Sequence, residues 1–290
     1  MDFNGCFTAL ITPFENGQVS FTKLRELVNE QIAAGVDGIV PVGTTGESPT
    51  LSIAEHERVV EVVVEAANGR CRIIAGTGGN STAEALELTH QAKSVGVDAT
   101  LQVTPYYNKP TQEGLFRHFS KVADDVGLPV VLYNIPGRSV VEIAIPTVAR
   151  LADNPMIVAV KEAGGTSDRV SQTLNACNIA VLSGDDSLTL PMMAVGASGV
   201  ISVASNIVPA EVTRMTHLVL DGDFASAKEL HYRLYDLFDA LFIETSPIPI
   251  KAAMAIAGRI EEEYRLPLCP MSEANRPILI AAMRKAGIAF

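Results

Sequence analysis

The sequence has no tryptophan, few thiols, and fewer bases than acids. Its four cysteines (Cys6, Cys71, Cys177, Cys269) lie far apart and form no CxxC pair, which excludes a zinc ribbon or a dithiol redox motif. Thiols this sparse suit a reducing cytoplasm better than a disulfide scaffold. Twenty-two bases against 33 acids leave a net charge of −11, so the basic footprint of a general nucleic-acid binder is missing, as is the patch that would dock on anionic lipid. No apolar run reaches the ~18 residues of a membrane span. The opening segment, Met1 to Phe14, lacks a basic stretch followed by a long apolar one and does not read as a signal peptide. What remains is a 290-residue chain that is 48% apolar and only 19% charged, enough for two average domains or one large barrel around a substantial core.

The apolar residues fall into a rhythm. Short, weakly charged runs at Cys6–Thr12, Gly38–Val42, Arg72–Gly76, Ala99–Thr104, Val130–Asn134, Ile157–Lys161, Ala180–Ser183 and Val200–Ala204 read as strands buried on both faces, the mark of a parallel sheet. Helical patterns lie between them. Leu24, Leu27, Val28, Gln31 and Ile32 share a face, and Val59, Val60, Val63 and Val64 repeat at helical spacing. Ser52-Ile-Ala-Glu55 and Ser81-Thr-Ala-Glu84 have the form of capping boxes, and Gly35, Gly69, Gly96 and Gly127 sit where helices stop. Eight strand–helix units in about 220 residues predict an α/β fold, a (β/α)8 TIM barrel. The rival, an open doubly wound sheet, would carry a glycine fingerprint after its first strand, and Thr12-Pro-Phe-Glu-Asn-Gly17 is not one. Beyond Asp221 the strands stop. Phe224–Ile243, Ile248–Ala257 and Glu273–Ala286 read as helices, so a barrel domain over residues 1–223 and a small helical domain over 224–290 are expected, with no flexible linker between them.

In such barrels the working groups sit at the C-terminal ends of strands. The second run leads into Gly43-Thr44-Thr45-Gly46-Glu47-Ser48, whose hydroxyls and open amides suit a small carboxylate, or equally a turn opening the next helix. The sixth run ends in Lys161. A lysine closing a wholly apolar strand is unusual. Desolvation favours the neutral amine, which can condense with a ketone to an imine; the competing reading pairs Lys161 with Glu162. Tyr133 ends the fifth run in phase to point inward, as a proton shuttle or as core. Arg138, after Pro136-Gly137, falls at the rim, where it can hold a carboxylate or be merely solvated. Tyr106 and Tyr107, in a proline-bounded loop, fit an interface or ordinary loop packing. The metal reading fails on inventory: His56, His90, His118, His217 and His231 all fall in predicted helices, and neither HxH nor HExxH occurs. Gly76-Thr-Gly-Gly79 is not a nucleotide loop, and GxSxG is absent. Asp185-Asp186 could hold a cation or simply brace a turn.

Taken together, Gly43-Thr-Thr-Gly-Glu47, Tyr133-Asn-Ile-Pro-Gly-Arg138 and Lys161-Glu162, with Thr8-Ala-Leu-Ile-Thr-Pro13 and Gly199-Val-Ile-Ser202, resemble the dihydrodipicolinate synthase branch of the pyruvate-dependent class I aldolases, over essentially the whole chain. N-acetylneuraminate lyase and related 2-keto-acid aldolases share the lysine and the tyrosine. Thr44-Thr45, where the lyase has Ser-Thr, and Arg138 after the Ile-Pro-Gly turn favour the synthase.

The resemblance implies condensation of pyruvate with L-aspartate 4-semialdehyde through an imine on Lys161. It implies no further cofactor and no metal, and a role in the diaminopimelate route to lysine. It assigns a hydroxyl relay to Thr44, Tyr133 and Tyr107, with Tyr107 reaching into a neighbouring subunit. Thr45 would hold the pyruvate carboxylate and Arg138 that of the semialdehyde, while Gly184 and Ile201 would line the pocket through their carbonyls. It also implies a cytoplasmic homotetramer, a dimer of dimers, and a lysine effector cleft at Ser48, His56, Asn80, Glu84 and Tyr106. Pro49 and Ile53 depart from the cleft's pattern, where some members have alanine and histidine, so weak or absent inhibition by lysine is expected. A non-catalytic ligand-binding barrel is the reading from a different class.

Overall fold

A computed structural model describes residues 3–290. Ten strands occur in chain order: β1 (Gly5–Ala9), β2 (Phe14–Glu15), β3 (Gln18–Val19), β4 (Gly38–Val40), β5 (Arg72–Gly76), β6 (Ala99–Val103), β7 (Val130–Asn134), β8 (Ile157–Glu162), β9 (Ala180–Ser183) and β10 (Gly199–Ser202). Twelve helices accompany them: α1 (Phe21–Ala33), α2 (Ile53–Ala67), α3 (Thr82–Ser94), α4 (Gln112–Val126), α5 (Pro136–Ser139), α6 (Ile145–Ala152), α7 (Asp168–Ala176), α8 (Thr189–Ala194), α9 (Pro209–Leu220), α10 (Phe224–Ala240), α11 (Ile248–Ile256) and α12 (Arg276–Lys285).

Strands β1 and β4 to β10 close into a barrel in the order β1-β10-β9-β8-β7-β6-β5-β4, with β4 pairing back to β1 and all neighbours parallel. The eight expected apolar runs are these eight strands, and the TIM barrel read from the rhythm is the fold observed. Two cores result from the period-two alternation of each strand. Phe7, Val40, Ile74, Leu101, Val131, Leu182 and Ile201 fill the barrel, while side chains such as Val130, Leu132, Val160 and Val181 face the helical ring of Val59, Phe119, Val148 and Val212.

The helix boundaries follow local signals. Ser52 Oγ accepts from the Glu55 amide (3.3 Å) and Glu55 Oε2 accepts from the Ser52 amide (2.9 Å), completing the capping box that opens α2. The second box does not form: the Ser81 side chain makes no cap bond at α3. Glu84 turns instead toward Gly79, 3.1 Å from where a β-carbon there would sit. Gly127 closes α4 at φ +62°, its amide donating to Ala123 O (3.0 Å). The β2–β3 hairpin was not anticipated. Its turn is Asn16-Gly17, both at positive φ (53° and 77°), the dipeptide that favours the hairpin's inverted turn.

After β10 the chain is helical, as expected. Asp223 caps α10, its carboxylate accepting from the Ser226 amide (3.0 Å), and α10 packs against both α9 and α12.

Candidate active site

The direction of Lys161 is set by an irregularity in β8. Between Val130 and Val131 the β7–β8 register slips, so that Val130 faces Ile157 but Val131 faces Ala159. Val158 is the extra residue of this bulge, which reverses the phase of the strand. Ile157 and Val160 face the helices, while Ala159 belongs to the barrel interior and Lys161 two residues on shares its face. Without the bulge, strict alternation from Ile157 would send Lys161 outward.

Lys161 is 5% exposed, and its Nζ lies 4.2 Å from the centroid of the Tyr133 ring, the residue opposite it on β7. Among the described residues it has no hydrogen-bond or ion-pair partner. Glu162 points the other way, accepting from Asn134 Nδ2 (2.9 and 3.1 Å), the Gly164 amide (2.7 Å) and Arg169 Nε (3.4 Å). Burial still raises its pKa despite these donors. The pairing of Lys161 with Glu162 is therefore not what the fold builds. Gly184 backs the lysine: a β-carbon there would stand 2.7 Å from Ala163 Cβ and 3.0 Å from Lys161 Cε. Ile201 lies on the same interior wall, opposite Phe7.

The loop after β4 makes one face of the site. Its turn is held by the Gly46 and Ser48 amides donating to Gly43 O (3.1 and 3.3 Å) and by Thr12 Oγ1 donating to Gly46 O (2.6 Å). Val42 and Glu47 both adopt left-handed φ (48° and 56°), a strained conformation for side chains of this kind. Thr45 is buried and Thr44 half-buried. Among the described residues neither hydroxyl has a protein partner, so both remain free for a ligand.

Arg138, on α5, is exposed, as read from sequence, and its Nη2 donates to Ser246 O (3.0 Å). Tyr107 is 89% exposed at φ +70°, outside the wall of the cavity. That cavity, of about 400 Å³, is walled by Thr44, Tyr133 and Arg138 and also by Ser48, His56, Glu84 and Tyr106, so part of the expected reaction site and most of the candidate effector cleft share one space, whereas Lys161, Thr45, Gly184 and Ile201 are not on its wall. Asn80 is not on the wall; its Nδ2 donates to Tyr106 O (3.3 Å) and its carbonyl accepts from Asn108 Nδ2 (2.8 Å). His56 Nε2 is tied to Gly76 O (2.9 Å), and burial lowers its pKa.

Asp185 and Asp186 brace turns. Asp186 accepts from Ser202 Oγ (2.5 Å) and from the Val203 and Ala204 amides (3.0 and 2.9 Å), and Asp185 Oδ1 accepts from the Ser187 amide and hydroxyl (3.0 and 2.9 Å). One group near the site was overlooked. Lys251, in the apolar run Ile248-Pro-Ile-Lys-Ala-Ala-Met, is fully buried against Glu47 (2.5 Å). The signal that singled out Lys161, a cation inside an apolar segment, was present there too.

A lysine with no counter-ion among the described residues, inside a closed parallel barrel and against a tyrosine ring, fits a barrel enzyme of the class I aldolase type. The chain belongs to the dihydrodipicolinate synthetase family, whose sequence profile it matches over residues 2–286. It is 52% identical over 288 residues to the 4-hydroxy-tetrahydrodipicolinate synthase of Geotalea uraniireducens strain Rf4, covering 99% of each chain. The structure of the enzyme of that name from Methylacidiphilum fumariolicum SolV superposes with a TM-score of 0.98 at 50% identity, over 99% of this chain and 96% of that one. The chloride-inhibited dihydrodipicolinate synthase of Acinetobacter baumannii, solved with pyruvate, superposes with a TM-score of 0.97 at 45% identity and 99% coverage of both chains.

Proposed function

We propose that this chain catalyses the 4-hydroxy-tetrahydrodipicolinate synthase reaction, joining pyruvate to L-aspartate 4-semialdehyde in the diaminopimelate route to lysine. The observation that carries the reading is Lys161, turned into the barrel by the β8 bulge while Glu162 is engaged elsewhere.

The Nζ of Lys161 attacks the keto carbon of pyruvate, and loss of water gives the imine. The imine withdraws electrons, so a methyl proton departs and an enamine forms. Its carbon attacks the aldehyde of the semialdehyde, whose oxygen takes up a proton. The substrate amine then adds to the imine carbon and expels Lys161, closing the six-membered ring. One water is released in all and the lysine is regenerated.

Thr44, Tyr133 and Tyr107 carry the protons in this scheme. A relay of neutral hydroxyls suits two carboxylate-bearing substrates, because a free carboxylate beside their carboxylates would repel them. Thr45 holds the pyruvate carboxylate and Arg138 that of the semialdehyde, with Gly184 and Ile201 as backbone walls. The covalent imine serves in place of a cofactor. Four free cysteines accord with a cytoplasmic setting, and no helix among the described residues is long and apolar enough to cross a membrane. The working unit is at least a dimer, within a tetramer. Lysine is a weak effector or none, since Pro49 and Ile53 stand in the cleft wall beside His56.

The test is borohydride reduction in the presence of pyruvate. Intact mass rises by one reduced pyruvate adduct, mapped to the peptide bearing Lys161, and Lys161→Met abolishes the adduct. An unchanged wild-type mass defeats the reading in favour of a non-catalytic barrel. Turnover of pyruvate with N-acetylmannosamine rather than with the semialdehyde defeats it in favour of the lyase.

A further inference from the structure

The back of the threonine loop is fastened to the C-terminal helices by charge. Glu47 follows Thr44 and Thr45 by only three and two residues, yet it is buried and does not line the cavity. There Oε1 meets Lys251 Nζ at 2.5 Å, with both side chains at zero exposure, and Oε2 accepts from the Arg265 amide (3.3 Å). The ammonium sits 4.3 Å from the Phe14 ring centroid and 5.3 Å from that of Tyr264. A buried pair of this kind adds little net stability over an apolar pair of the same shape, but it fixes geometry, because parting the two groups leaves an uncompensated buried charge. Glu47 itself holds a left-handed backbone conformation (φ 56°).

Lys251 lies on α11. The residue just before that helix's N-cap, Ser246, accepts the hydrogen bond from Arg138 Nη2. One nine-residue helix therefore reaches two sides of the cavity, the Thr44–Thr45 loop through Lys251 and the Arg138 guanidinium through Ser246.

We propose that Lys251 and Glu47 are a positioning pair for the reaction. Through them α11 holds the Thr44–Thr45 loop at a fixed distance from Arg138, and so sets how well the pyruvate carboxylate is bound. The inference rests on the proposed reading of the site, in that Thr45 is taken as the pyruvate-binding residue. Neither residue touches substrate; each acts through the loop.

The test uses the full chain with the double substitution Glu47→Gln/Lys251→Met, which removes both charges and keeps similar shapes. Melting temperature, borohydride trapping on Lys161 against pyruvate concentration, and steady-state kinetics are measured together. The expected result is a folded protein whose KM for pyruvate, and whose half-saturation in trapping, rise on the order of tenfold while kcat changes by less than about threefold. A folded double variant with pyruvate constants within twofold of wild type overturns the proposal. Lys251→Arg supplies a second reading, since it keeps the charge but moves it: a raised pyruvate KM at an unchanged melting temperature supports positioning, and an unchanged KM opposes it. If no variant of the pair folds, the pair is structural and the proposal also fails. Wild-type protein that traps no pyruvate would refute the reading of the site instead, so the two failures are distinguishable.

Discussion

Asp186 is wholly buried beneath the end of β10 with three hydrogen-bond donors but no cation. Desolvation outweighs those donors and lifts its pKa from 3.8 to about 6. A carboxyl whose pKa is raised by folding holds its proton longer in the folded state than in the unfolded one. Its contribution therefore favours the fold most below pH 3.8 and declines as pH climbs toward 6, then levels off. Asp186→Asn removes this dependence while retaining two of the contacts. Relative to wild type, the variant is expected to gain on the order of 2–3 kcal/mol between pH 4 and pH 7, read by urea titrations at each pH. Parallel stability curves for the two proteins would contradict this. Lys161, buried with no counter-ion among the described residues, fits the proposed role of a residue kept for reactivity rather than stability.

At the level of elements, the cleft beside the active site is built by three pieces: the short turn Ser48–Thr50, the first residue of α2, and the start of α3 with Glu84. Ile53 opens α2 and is half exposed (49%), so it presents an apolar side chain where an amino-acid ligand would need donors. Burial lowers the pKa of His56, one turn later, and its Nε2 is already taken by Gly76 O. Glu84 supplies negative charge on this wall. These elements predict that lysine leaves the rate nearly unchanged in the sub-millimolar range. A titration giving half-inhibition there would show that the cleft binds lysine despite Ile53. The same stretch is clamped from the far end of the chain: Arg265 donates to both Glu55 oxygens (2.8 and 2.5 Å) and to Thr50 O (3.0 Å), and this pairing lowers the Glu55 pKa to about 2.

For the molecule as a whole, the most exposed aromatic is also a proposed member of the proton relay. Tyr107 is 89% exposed in a single chain, which is a poor position for catalysis in its own barrel and a good one for reaching another. Complementation decides between them. Tyr107→Phe protein retains Lys161, and Lys161→Met protein retains Tyr107. If the tyrosine works across an interface, mixing two nearly inactive preparations restores activity as mixed dimers form, up to about a quarter of wild type, because half the dimers are mixed and one of two sites in each is complete. No recovery after subunits have exchanged would place Tyr107 in its own site or outside the reaction.

The eight apolar runs gave the barrel's strand count and its parallel order, because strands covered on both faces must be apolar throughout. Lys161, Tyr133 and the threonine pair were legible for a related reason: polar groups stand out where such strands end. Arg138 at the rim followed from the Pro-Gly turn before it. The unformed cap at Ser81 was not legible, since the four-residue pattern cannot show that Glu84 has a better place beside Gly79. The hairpin at Asn16-Gly17 was not legible because its strands are two residues each, too short to show a period. Two decisions belonged to the tertiary structure alone. The bulge at Val158 determines which face Lys161 occupies, and register depends on the neighbouring strand, which local sequence does not contain. The pairing of Glu47 with Lys251 spans 204 residues of chain; only the closed barrel, with α11 packed beside the threonine loop, brings the two charges into the same dry space.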